Sequence, residues 1–171
     1  MEIIFHPEQV PPFYRRYVDH VKTFELLQAF EVSLEKSIAM IRSIEESKGD
    51  YAYAPGKWTI KELLYHTLDA ERVFCYRALC FSRNDKTELP AFDENAYVPE
   101  SNANALTMQN ILTQTINLRK TTMDLFSTFT PEMLMRTGVA NKTQVSVIGL
   151  GYITAGHQLH HMDVLAQRYL Q

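Results

Sequence analysis

Apolar residues spaced at three- and four-residue steps limit most strongly what this chain can fold into. Phe24, Leu27, Phe30, Leu34, Ile38, Ile41 and Ile44 recur at the helix period. The same period marks long helices over residues 23–47, 60–81, 105–129 and 146–171, and a shorter helix over 13–20. Thr130-Pro131-Glu132 reads as the cap and first turn of one further short helix. No segment reads as a convincing strand, and residues 138–144 read as a polar loop. The expectation is an all-α four-helix bundle forming a single domain over residues 1–171, since 171 residues suffice for one sizeable core and little else.

The second long helix carries the clearest start signal. In Thr59-Ile60-Lys61-Glu62 the Thr59 hydroxyl can accept from the Glu62 amide while the Glu62 carboxylate reaches back to the Thr59 amide, a capping box. Pro55 and Gly56 supply the turn before it. Between the second and third long helices, residues 82–103 lose the period and carry Asn84, Asp85, Pro90, Asp93, Asn95, Pro99 and Asn102. A link of about twenty residues can travel the length of a bundle, whereas short links make antiparallel neighbours. Helices two and three are therefore expected to run parallel, with the link a candidate lid.

Composition removes several function classes. A net charge of −3 argues against nucleic acid, and no basic block suggests a membrane patch. The N-terminal Met1-Glu2-Ile3-Ile4-Phe5-His6-Pro7 lacks the basic start and apolar run of a secretory signal, so a cytoplasmic location is expected. Cys75 and Cys80 lie about 140° apart around a helix and are read as reduced core residues.

Three of the six histidines share one helix, as His157-Gln158-Leu159-His160-His161. His157 and His161 project from one face in adjacent turns, together with Leu150, Ile153, Thr154 and Val164, so their imidazoles should point toward the core. His66 shares a similar face with Leu63, Ala70 and Val73. Three imidazoles and a vacant position is the donor set of catalytic zinc sites, and bundle cores commonly house such sites. Gln158 stands where a zincin protease needs glutamate, which speaks against that class. His160 rivals His161, being three residues from His157, but lies on the opposite flank. His6 and His20 fall outside the pattern and are expected at the surface. Asp69, one turn after His66, is the candidate to orient an imidazole or accept a proton; its bland alternative is an ion pair or solvated position. Glu62 already caps the helix, and Glu71 points well away from His66. Arg168 and Tyr97 are weaker candidates, for an anionic substrate and for closing over the metal.

The segment Tyr53-Ala54-Pro55-Gly56-Lys57-Trp58-Thr59-Ile60-Lys61-Glu62-Leu63-Leu64-Tyr65-His66, followed by Asp69-Ala70-Glu71-Arg72, resembles the start of helix two in DinB-like (YfiT-like) proteins. Leu89-Pro90-Ala91-Phe92-Asp93-Glu94 and Gly156-His157-Gln158-Leu159-His160-His161 resemble that family too, in order along nearly the whole chain. The resemblance implies an up-down-down-up bundle, often dimeric, with a three-histidine nickel or zinc site mapping onto His66, His157 and His161. It also implies metal chemistry on a small molecule: some relatives are transferases or isomerases that use low-molecular-weight thiols, and others are labelled metal-dependent hydrolases. The expectation is thus a metal-dependent transferase or hydrolase, the alternative a non-catalytic metal-binding stress-response protein. Ile148, Tyr152, Leu159, Met162 and Ala166 form a second apolar stripe on the last helix, which suggests a homodimer unless the first helix and the N-terminal segment cover it. Gly149, Gly151 and Gly156 cost helix propensity, and close helix approach would be a reason to keep them.

Overall fold

The computed structural model describes residues 5, 6 and 9–171. Its helices are α1 (Pro12–Val18), α2 (Leu26–Ser43), α3 (Ile60–Ser82), α4 (Glu94–Glu100), α5 (Met108–Ser127), α6 (Pro131–Met135) and α7 (Val147–Val164), with two strands, β1 (Thr137–Ala140) and β2 (Thr143–Ser146). The capping box at the head of α3 forms as expected: Glu62 N donates to Thr59 Oγ1 at 3.1 Å and Thr59 N to Glu62 Oε2 at 2.8 Å. The last helix ends its α-helical run at Val164 and finishes in a π-helical turn, Leu165–Tyr169.

Side-chain pairs fix the helix directions. Tyr65 meets Gln114, Glu71 meets Arg119 and Cys75 meets Thr122, so contacts advance together along α3 and α5 and the two run parallel. Phe30 meets Phe126 while Ser33 meets Arg119, so α2 opposes α5. Phe74 meets His157 while His66 meets His161, so α3 opposes α7. The order is up-down-down-up, and the long link is what allows it. It also carries α4, which packs against α3, so its middle is structured.

The loop expected over residues 138–144 is instead a hairpin. Thr137 pairs with Ser146 and Ala140 with Thr143. Asn141 and Lys142 turn the chain at φ 51° and 59°, the left-handed pair that a two-residue hairpin turn needs. Asparagine tolerates that region, but the strands are only four residues each, and their pattern is too short to read against a helical background. Leu89 of the link bridges to the hairpin: its N–H donates to Val139 O and its carbonyl accepts from Asn141 N, both at 3.0 Å.

Helix α7 is the axis of the packing. Every residue from Val147 to Leu159 is buried, against α1, α2 and α3. Of the stripe that suggested a homodimer, Ile148, Tyr152, Leu159 and Met162 are buried within the chain and Ala166 is exposed: Phe5 stacks on Tyr152 at 4.1 Å between centroids, and the Tyr152 hydroxyl donates to Phe24 O at 2.8 Å. A Cβ at Gly156 would lie 2.1 Å from Tyr17 O, so glycine there is what lets α1 lie directly on α7. Among the described residues no helix is long and apolar enough to cross a membrane.

Candidate metal centre

Helices α3 and α7 bring His66, His157 and His161 together by their Nε2 atoms. His157 Nε2 lies 3.3 Å from His66 Nε2 and 3.1 Å from His161 Nε2, and the ligand atoms of all three fall within 4.8 Å of one another. Nitrogens bound tetrahedrally at ~2.0–2.1 Å would sit about 3.3–3.4 Å apart, close to the two spacings seen. Hydrogen bonding alone cannot satisfy this cluster. Each ring nitrogen offers one proton or one lone pair, and His157 Nε2 faces two neighbours. A cation serves all three lone pairs at once, so the donor set fits a divalent metal.

The surroundings favour neutral imidazoles, the form that binds metal. Burial pulls the His66 pKa down from 6.5 to about 4, with the Glu94 carboxylate opposing. His157 and His161 are lowered well below 6.5, first by burial, then by neighbouring histidines (His161, His66 and His160 for His157; His66 and His160 for His161) and last by the Arg16 guanidinium. Within the cluster His161 Nδ1, a buried atom, lacks a hydrogen-bond partner among the described residues.

The three imidazoles line a cavity of about 250 Å³. Its walls are aromatic, from Phe13, Tyr14 and Tyr17 of α1, Trp58, Phe74 of α3 and Phe92 of the link. Two charged side chains complete it, Arg16 and Glu94. Burial raises the Tyr14 pKa, so its hydroxyl remains a neutral donor.

The sequence-based candidates separate clearly in space. His161, not His160, joins His157; His160 turns toward Tyr17, at 5.0 Å between centroids, and toward His20. Asp69 is held by Arg72 at 2.9 Å and is absent from the cavity lining. Arg168 rests on Tyr53, and Tyr97 is half exposed against Phe92 outside the cavity. The residues that sequence reasoning passed over are Glu94 and Arg16. Glu94 stands in the Leu89–Glu94 stretch that carried part of the family resemblance, and its neighbour Asp93 caps α4 by accepting from Asn95 N and Ala96 N. Nothing in the spacing of Arg16 marked it.

The sequence pattern of the DinB superfamily matches residues 29–165 of the chain. No curated protein matches it. Among solved structures, YfiT from Bacillus subtilis, described as a probable metal-dependent hydrolase with an unusual four-helix bundle topology, is similar with a TM-score of 0.71 and 19% identity, over 83% of this chain and 82% of that one. At that identity the likeness speaks for the fold. That structural likeness agrees with the four-helix bundle read from the side-chain pairs.

Proposed function

The chain belongs to the DinB superfamily, and from that premise we propose that it is a metal-dependent enzyme that hydrolyses a small molecule at one nickel or zinc ion held by His66, His157 and His161. The observation that carries the reading is the convergence of three neutral Nε2 atoms on one point inside a cavity. A divalent ion held there supplies Lewis acidity and lowers the pKa of a water or thiol brought to it. The chain's own residues do the rest. Glu94 is the only carboxylate lining the cavity among the described residues, and it is the group placed to take and return a proton. Trp58, Phe74 and Phe92 keep bulk water from the imidazoles. Tyr14 offers a neutral hydroxyl to a developing negative charge.

One observation favours thiol-dependent transfer as a second reading. A second cavity of about 270 Å³ shares His161 and Trp58 with the first and is lined on its far side by Tyr53, Lys57 and Tyr169. Two chambers meeting at one imidazole suit two reactants better than one reactant and water.

The test is elemental analysis of untagged protein, followed by a hydrolase screen with and without added low-molecular-weight thiol. About one nickel or zinc per chain is expected, lost in His66→Ala. Glu94→Gln should retain the metal and lose about 100-fold in turnover. Retention of stoichiometric metal by His66→Ala would sink the triad assignment, and turnover that requires the thiol would select transfer over hydrolysis.

A further inference from the structure

The lining of the histidine cavity is charged. Glu94 and Arg16 both line it, one negative and one positive. Arg72, Arg119 and Arg136 each reach a carboxylate of the protein. Arg16 is the arginine that lines the cavity, and like Arg15, Arg42, Arg77, Arg83 and Arg168 it reaches none among the described residues. Its Nη2 donates to the Tyr17 hydroxyl at 2.7 Å, and its guanidinium lies 4.7 Å from the Phe13 ring centre and 4.7 Å from that of Tyr17. Stacking and the hydroxyl contact hold the plane in place and leave guanidinium N–H donors for a ligand. The Tyr17 ring is in turn 5.2 Å from that of His157, so a single side chain separates the guanidinium from the imidazoles.

We infer that this cavity receives a small organic carboxylate, gripped at its carboxylate end by Arg16 with its remaining atoms against the aromatic walls and over the three histidines. A planar fork of N–H donors matches a planar carboxylate with two parallel hydrogen bonds, which a lysine would not offer. The cavity volume of about 250 Å³ limits the ligand to a compact molecule. Glu94, the carboxylate of the lining, repels an anion and so favours the Arg16 side for the carboxylate end. The inference rests on the proposed metal reading only for what happens to the molecule at the histidines, because the carboxylate grip needs no metal.

Trp58 is the sole tryptophan and lines the cavity, so its emission reports occupancy directly. The experiment titrates benzoate and benzamide, alike in shape but not in charge, into metal-free protein, with metal content measured on the same preparations. Benzoate is expected to bind about tenfold more tightly than benzamide, and Arg16→Gln, a change at an exposed position, should erase the difference while leaving metal uptake intact. Equal affinities in the parent, or a preference that survives in Arg16→Gln, would overturn the inference. Tighter binding of phenyl phosphate than of benzoate would overturn the choice of carboxylate. An Arg16-dependent preference in a chain that takes up no metal would uphold the grip and remove the metal reading; metal uptake without any preference would do the reverse.

Discussion

Helix α3 carries two buried polar clusters little more than a turn apart, and they are built on opposite terms. At Glu71 every charge is answered. Arg119, fully buried, donates through Nε and Nη2 to the two Glu71 oxygens at 2.9 Å each, and through Nη1 to Phe30 O and Ser33 Oγ, while Thr122 Oγ1 donates to Glu71 Oε1 at 2.6 Å. At His66 the opposite holds. Three imidazole nitrogens face one another with too few protons to go round, and His161 Nδ1 lacks a partner among the described residues. A closed polar network fixes the way helices α2, α3 and α5 lock together. An open one, kept buried at the cost of unsatisfied atoms, is explained by something that binds there.

The sharpest way to break this contrast is to remove one member from each cluster. Arg119→Met strands the Glu71 carboxylate in the core and should cost about 3–5 kcal/mol in urea unfolding, whereas His66→Gln in metal-free protein should change stability by less than about 1 kcal/mol. Equal costs would erase the distinction. The next effect is acidification. The buried histidines resist protons that the unfolded chain accepts, so the metal-free fold should lose stability as pH falls from 6.5 toward 4 and show no such slope above 6.5. The His66 share is about 3 kcal/mol, and a His66→Gln variant with an unchanged slope would show that His66 contributes nothing to it. The smallest effect sharpens the geography. Gly156→Ala drives a methyl into the Tyr17 carbonyl and should cost about 1–3 kcal/mol. Because α1 walls the histidine cavity and not the Glu71 cluster, metal affinity should fall along with stability; undisturbed metal binding would mean α1 is not needed to shape the site.

How far these features were legible depends on their range. The four long helices were written in a local period, the Thr59 capping box in four adjacent residues, and the parallel pairing of α3 and α5 in the length of the link. The His157 and His161 pair was visible because four residues is one helical turn. What escaped was either too short or too distant. The hairpin offered Asn141-Lys142 and not the asparagine–glycine that announces such a turn. Glu71 and Arg119 meet across 48 residues with no periodic cue. Arg16 and Glu94 reach the cavity from a seven-residue helix and from the first turn of another, positions that only the closed bundle defines.

The parallel run of α3 and α5 also sets a timetable. Two helices pointing the same way cannot zip together from a tight turn between them. The chain must first close the loop formed by residues 83–107, an entropic step that precedes any reward from packing. Glu94 and Phe92 ride on that loop and take their places as it closes. His66 and His157, 91 residues apart, must close a longer loop still, so by the same entropic reasoning the imidazole cluster is completed after the link has settled beside α3.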